Sequence, residues 1–116
     1  MIQITGTTIE MTRGDTLWLQ IGIEQDGEPY TPKEGEVVRF YLKHAALKAG
    51  HSAYSDPKPL ITKEVPTNTM ILALEPEDTK PFGFGNYKYD LEITMDDGRV
   101  DTFINNGDLI LVPEVG

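Results

Sequence analysis

Apolar and polar residues alternate along much of this chain, most clearly over residues 87–96. A period of two is typical of a strand with one face in the core and the other in solvent. The apolar positions of this strand are Tyr87, Tyr89, Leu91, Ile93 and Met95. The Asp97-Gly98 pair that follows predicts a two-residue hairpin turn, because both residues tolerate positive φ. The predicted register then pairs Asp96 with Arg99, Met95 with Val100, Ile93 with Thr102 and Leu91 with Ile104.

Three further strands are predicted before residue 44. Residues 2–11 carry two short alternations that break at Gly6, which predicts a single edge strand with a bulge or kink. Residues 15–24 form the second strand, with Trp18 on the face opposite the core. An Asp26-Gly27 turn follows it. In the third strand the residues expected in the core are Val38, Phe40 and Leu42, and Tyr41 is among those on the outer face.

The second half of the chain begins with its least regular stretch. Residues 44–59 are rich in turn formers, and residues 44–50 could form one helical turn closed by Gly50. Short strands are then predicted at 60–65, 70–74 and 109–112. Residues 75–81 predict a 3₁₀ or helical turn, with Pro76 at its first position.

Short strands separated by turn signals, with no long helical period, predict an all-β chain. The expected fold is an antiparallel β-sandwich of about seven to eight strands. The chain has 116 residues, so we expect a single domain that spans residues 1–116.

Composition narrows the functional classes. The chain has no cysteine, which excludes disulfides and cysteine-bound zinc. The N-terminus does not resemble a signal peptide, and no apolar stretch is long enough to span a bilayer. The formal net charge is −9, so nucleic acid and anionic membranes are not expected as partners. The simplest interpretation of this acidity is solubility.

The sequence offers little catalytic or metal-binding chemistry. Both serines, Ser52 and Ser55, lie in the irregular stretch, and neither is in a Gly-x-Ser-x-Gly setting. His44 and His51 lack a third metal ligand nearby. The acids of the last hairpin, which include Asp90, Glu92 and Asp101, are spaced to solvate a strand face rather than to surround calcium. We therefore predict no catalytic residue, no cofactor and no metal.

Two other features have a structural and a functional interpretation. Arg13-Gly14-Asp15 is an integrin-binding triplet, but a turn between strands explains it fully. Trp18, Tyr41 and Phe103 are aromatic residues on predicted outer faces, and together they could form an exposed patch for a partner or a sugar. The alternative for Trp18 is that a loop or the first strand covers it. These three residues are the candidate interaction surface.

A series of motifs runs through the chain in a recognisable order: Arg13-Gly14-Asp15-Thr16, Asp26-Gly27, Tyr30-Thr31, Gly35, Leu74-Glu75-Pro76-Glu77-Asp78-Thr79-Lys80, Gly85-Asn86-Tyr87-Lys88-Tyr89-Asp90 and Gly98-Arg99-Val100-Asp101-Thr102. In that order they resemble the N-terminal immunoglobulin-like domain of the phage baseplate upper proteins, over about residues 9–112. The resemblance implies an immunoglobulin-like sandwich that docks onto a baseplate and helps to carry receptor-binding proteins. The motifs also resemble those of immunoglobulin domains generally, which implies that Asp78 and Tyr87 fix the corner into the penultimate strand. Longer members of the baseplate family continue into further segments, so this domain could act alone or with a separate fibre protein.

The leading functional hypothesis is a non-enzymatic phage or prophage tail or baseplate module that acts through protein–protein assembly. The resemblance implies other baseplate or tail proteins as partners, with a homo-oligomer around the tail axis as a further option. It implies a location in the virion, after assembly in the bacterial cytoplasm. The alternative is a carbohydrate-binding module that contacts the host cell wall through Trp18, Tyr41 and Phe103.

Overall fold

The computed structural model describes residues 2–5, 7–44 and 59–113, with side chains from residue 7 onward. The regular elements in these ranges are strands and one short helix. The first five strands are β1 (Ile2–Thr5), β2 (Thr8–Thr12), β3 (Leu17–Gln20), β4 (Glu24–Gln25) and β5 (Glu28–Pro29). The elements that follow are β6 (Val37–His44), β7 (Ile61–Val65), β8 (Ile71–Leu74), α1 (Pro76–Thr79), β9 (Gly85–Thr94) and β10 (Val100–Val112).

The larger of the sheets has six strands in the order β1-β2-β10-β9-β6-β7. Neighbours in it are antiparallel except β2 and β10, which are parallel. Strands β3 and β8 form a two-stranded sheet, and β4 and β5 form a small hairpin. The predicted all-β sandwich is thus confirmed, although the parallel pairing of β2 with β10 departs from the fully antiparallel arrangement that was predicted. The described residues form ten strand segments rather than about seven to eight, because β1 and the two-residue β4 and β5 are additional.

The core lies between the six-stranded sheet and the β3–β8 sheet. Its buried residues form one cluster, to which both sheets contribute. The fully buried side chains include Leu17, Leu72 and Leu74 from the small sheet and Val38, Phe40, Leu42, Leu91 and Leu109 from the large one. The alternation over residues 87–93 is therefore confirmed, because Tyr87, Tyr89, Leu91 and Ile93 are all buried.

The hairpin between β9 and β10 differs from the prediction. The N–H of Met95 donates to the carbonyl of Arg99 (2.7 Å), and the N–H of Gly98 donates to the carbonyl of Met95 (2.9 Å). These bonds close a three-residue loop, 96–98, in which Gly98 alone has a positive φ, of 92°. The predicted two-residue turn is wrong, since a type I turn followed by a left-handed glycine encloses one residue more.

The longer loop shifts the register beside it by one residue. Val100 pairs with Thr94 rather than Met95, and Thr102 pairs with Glu92 rather than Ile93. A bulge between Thr102 and Ile104 then absorbs one residue, so that Ile104 pairs with Leu91 as predicted. A second irregularity lies between Ile104 and Gly107.

The N-terminal segment also differs from the prediction of one kinked edge strand. Strands β1 and β2 are antiparallel partners, with Ile4 opposite Ile9 and Ile2 opposite Met11. The two short alternations therefore fold back on each other instead of continuing in one direction, and β2 then pairs with β10. The predicted helical turn at 44–50 lies outside the described residues except for His44, which ends β6.

A corner after β8 joins the two sheets. Helix α1 has Pro76 at its start, and Asp78 accepts a hydrogen bond from the N–H of Glu75 (2.7 Å) while pairing with Lys63 (3.0 Å). The hydroxyl of Tyr87 donates to the carbonyl of Gly83 (2.8 Å), which fixes the entry into β9. The resemblance implied a corner role for both residues. Tyr87 has that contact, whereas the described contacts of Asp78 hold the helix and β7.

Tyr89 connects three parts of the large sheet. Its ring packs over Gly107 of β10, and its hydroxyl donates to the carbonyl of Thr7 beside β2. A Cβ added at Gly107 would lie 2.6 Å from the Tyr89 ring. The ring is buried and its hydroxyl is hydrogen-bonded, so moving it would disrupt core packing and this bond.

We expect Gly107→Ala to lower the free energy of unfolding by about 1–3 kcal/mol, because the methyl group overlaps the fixed Tyr89 ring. Urea denaturation measures this change. Gly22→Ala is the control, since nothing lies within 4 Å of its added Cβ, and it should change stability by less than about 0.5 kcal/mol. Equal effects of the two substitutions would contradict the described packing of Tyr89.

Candidate functional site

The outer face of the six-stranded sheet carries charged side chains that are paired with one another. Lys43 forms a salt bridge with Asp90 (2.8 Å) and donates to the side chain of Asn106 (3.1 Å). Lys88 pairs with Asp108 on the neighbouring strand. Lys43 and Lys88 stand directly opposite each other, so these acids also relieve a repulsive cross-strand contact.

Hydrogen bonds and burial shift the pKa values of groups on this face. The Lys88 ammonium lowers the pKa of Asp108. The pKa of Tyr41 is raised, first by burial and then by its hydrogen bond to Glu92 (2.8 Å). The polar groups at the centre of this face thus already have partners within the protein. A ligand would have to compete with these bonds.

The outer face of the β3–β8 sheet has the opposite character. Trp18 is 72% exposed and lies directly opposite Ala73, while Ile71, 39% exposed, lies opposite Gln20. None of these four residues is charged. We refer to Trp18, Gln20, Ile71 and Ala73 together as the Trp18 face. It presents a large aromatic ring beside aliphatic neighbours, which is the composition of a contact surface.

The three predicted surface aromatics do not form one patch. Trp18 points away from the core on the small sheet, as predicted, but Tyr41 points outward from the six-stranded sheet, on the other side of the sandwich. Phe103 is half-buried against the core cluster. It lines an open groove with Gly22, Ile23, Glu24, Pro29 and Ile104. Trp18 is therefore the most exposed of the three.

The Arg13-Gly14-Asp15 triplet is a turn attached to the corner after β8. The Arg13 guanidinium donates to the carbonyl of Phe82 (3.3 Å) and lies 4.6 Å from the centre of the Phe84 ring. The N–H of Gly14 donates to the hydroxyl of Thr79 (2.8 Å). These contacts anchor the triplet to the fold, which favours the turn interpretation over integrin binding.

Carboxylates elsewhere in the described ranges do not gather into a metal site. No group of three or more His, Asp or Glu side chains is placed to hold an ion there. His44 lies at the end of β6, whereas His51 lies outside the described residues, as do Ser52 and Ser55. No helix in that same part of the chain is long and apolar enough to cross a membrane.

A buried carboxylate orders the loop before β6. Glu36 accepts hydrogen bonds from the Tyr30 hydroxyl (2.6 Å) and from the N–H of Lys33 (2.8 Å). The bond from Lys33, followed by that from Tyr30, lowers the pKa of Glu36 below its ordinary value of 4.5. The same hydrogen bond to Glu36 raises the pKa of Tyr30. This loop is held by ionised Glu36, a contact that the sequence analysis missed because its partners come from an irregular segment.

Ile71 and Ala73 were not predicted as neighbours of Trp18. Alternation in β8 places Leu72 and Leu74 in the core, so it already assigns Ile71 and Ala73 to the outer face. Their position beside Trp18 depends on the pairing of β3 with β8, which are distant in sequence. Alternation shows which residues of each strand point outward, but it does not show that these two strands pair.

Comparison with known proteins identifies no relative of this chain. No protein-family model matches it, no curated protein matches it, and no solved structure matches it.

We expect Glu36 to stabilise the fold at neutral pH and to lose that effect in acid. Its pKa is lowered on folding, so its contribution is present above about pH 4.5 and declines as the pH falls through the folded-state pKa. Urea denaturation of the wild type and of Glu36→Gln measures this at pH 7 and pH 3. At pH 7 the wild type should have a larger free energy of unfolding than Glu36→Gln. This difference between the two proteins should be smaller at pH 3. A difference that is independent of pH would contradict this role.

Proposed function

We propose that this chain is a non-enzymatic structural module of a phage or prophage tail or baseplate, and that it acts by protein–protein contact through the Trp18 face. The observation that carries the proposal is the 72% exposure of Trp18 on an uncharged face next to Ile71 and Ala73. Tryptophan is enriched among the residues that dominate binding energy at protein interfaces.

The contrast between the two outer faces supports this choice of surface. On the six-stranded sheet, a partner would have to desolvate salt bridges such as Lys43–Asp90 and Lys88–Asp108, which is costly. On the Trp18 face, a partner would remove apolar surface from water, which is favourable by about 25 cal/mol per Å². Association through the Trp18 face therefore has a lower free-energy cost of desolvation than association through the six-stranded sheet.

The phage setting rests on the resemblance of the ordered motifs to the immunoglobulin-like domain of baseplate upper proteins. The sandwich architecture and the Tyr87 contact with Gly83 agree with what that resemblance implies for the fold. The partners proposed are other tail or baseplate proteins. The proposed location is the virion, after assembly in the bacterial cytoplasm.

Carbohydrate binding has less support than protein binding. It relied on Trp18, Tyr41 and Phe103 acting together, but Trp18 and Tyr41 lie on opposite faces. The hydroxyl of Tyr41 already donates to Glu92, and Phe103 is half-buried. A sugar would thus contact one aromatic ring, with Gln20 as its polar neighbour on that face.

We expect this protein to bind at least one tail or baseplate protein encoded beside its own gene, and Trp18→Ala to weaken that binding about 30-fold. This corresponds to the ~2 kcal/mol of a dominant interface residue. Each neighbouring protein would be co-expressed with this chain, and complexes would be detected by size-exclusion chromatography and quantified by calorimetry.

Val100→Ala is the control, because it truncates another exposed apolar side chain, 58% exposed, on the six-stranded sheet. It should leave the affinity within about threefold of the wild type. Failure of every neighbouring protein to co-elute would contradict the assembly function. Binding of cell-wall polysaccharide that is lost in Trp18→Ala would instead favour the carbohydrate alternative.

A further inference from the structure

The backbone of β3 has an unpaired edge. The N–H of Ile21 donates to the carbonyl of Met70 (2.7 Å), and Leu19 lies opposite Leu72 in the same register. Hydrogen-bonded pairs alternate along an antiparallel ladder, so odd-numbered residues of β3 bond to β8. The N–H and C=O groups of Trp18 and Gln20 therefore point away from β8. Among the described residues, no strand pairs with this edge.

This edge lacks charged residues and proline, two of the features that prevent strand pairing. Residues 16–23 contain no charged side chain and no proline, in a chain with a net charge of −9. The edge strand β7, in contrast, carries Lys63 and Glu64 and is followed by Pro66. β1 is also uncharged, but it already completes a six-stranded sheet. The β3 edge is thus not blocked by charge or proline, and it belongs to a sheet that has only two strands.

We propose that β3 pairs with β3 of a second copy of this chain, in antiparallel orientation, to form a four-stranded sheet β8-β3-β3-β8. An antiparallel pairing of one strand with itself is the contact that two-fold symmetry produces. The proposal rests on the proposed function, since it states how the Trp18 face is presented: dimerisation would place two Trp18 faces side by side on one continuous sheet.

Electrostatics favour a second copy at this edge over the charged edge strand β7. Pairing residues 16–20 with themselves brings only neutral side chains opposite one another, so no like charges meet within the contact. The two chains, each with a net charge of −9, then repel each other only through charges that lie farther apart. Salt screens this repulsion, because the Debye length is about 8 Å at physiological ionic strength. Association should therefore strengthen as salt is added.

The direction in which the backbone N–H and C=O groups of β3 point limits the registers in which two copies of β3 can pair. The outward-facing groups of β3 belong to Trp18 and Gln20, so Trp18 of one copy lies opposite either Trp18 or Gln20 of the other. In both registers the two indole rings share the outer face and lie on directly opposite or diagonal positions, within reach of each other. Trp18 is the single tryptophan of the chain, so its fluorescence reports on this contact alone.

Sedimentation equilibrium of the full chain over a range of concentrations and salt tests the proposal. We expect the mass to rise from 12.9 kDa towards twice that value, more readily at higher salt, with a shift of Trp18 emission to shorter wavelength. Gln20→Glu should weaken association about three- to tenfold, because two-fold symmetry introduces the new charge twice. Gln25→Glu is the matched control, an identical change at another exposed position, and it should have no effect.

Gln20→Pro removes an outward N–H without removing a bond to β8, and it should keep the chain folded but monomeric. A mass of 12.9 kDa at every concentration and salt tested would overturn the proposal, as would a dimer whose Trp18 emission does not change. The outcome is separable from the proposed function. A monomer that still binds a neighbouring tail protein through Trp18 would remove only the self-pairing, whereas a dimer that binds none would remove only the assembly role.

Discussion

The fold depends on burial of one face of β9 against the β3–β8 sheet. Strand β9 lies between β6 and β10, and its residues Tyr87, Tyr89, Leu91 and Ile93 are buried. Leu17, Leu72 and Leu74 close the core from the other side. Because a strand places successive side chains on opposite faces, the position of Leu17 in the core requires Trp18 to point outward. The exposed tryptophan is thus a geometric consequence of how the core is closed.

The two sheets differ in what they leave available to a partner. In the six-stranded sheet, salt bridges and hydrogen bonds connect the outward side chains of neighbouring strands, as in Lys43–Asp90 and Tyr41–Glu92. In the β3–β8 sheet, the outward side chains are uncharged and one edge of β3 is unpaired among the described residues. The paired charges of this acidic chain and the proposed association surface therefore lie on different faces.

Much of the fold could be predicted from alternation, but not every turn and not the pairing of strands that are distant in sequence. Asp26-Gly27 forms the two-residue turn predicted for it, with φ of 54° and 79°, whereas Asp97-Gly98 has one positive φ, at Gly98, within a longer loop. The same dipeptide suits both turns, so the choice depends on the flanking strands. The bulge after Thr102 and the reversal between β1 and β2 are likewise set by tertiary packing. The outward direction of Trp18 was predictable, but its apposition to Ile71 and Ala73 required the pairing of two strands that are far apart in sequence.

A six-stranded sheet organised by β9 supports a small sheet with an open edge, and amide hydrogen exchange followed by NMR in dilute solution tests this arrangement most directly. The account predicts that the amide of Leu91 exchanges only through global unfolding and that the amide of Leu19 is protected by its pairing with β8. The amides of Trp18 and Gln20, on the same strand, should exchange rapidly. Protection of Trp18 and Gln20 equal to that of Leu19 in the dilute monomer would show that this edge is already covered, and it would contradict the account.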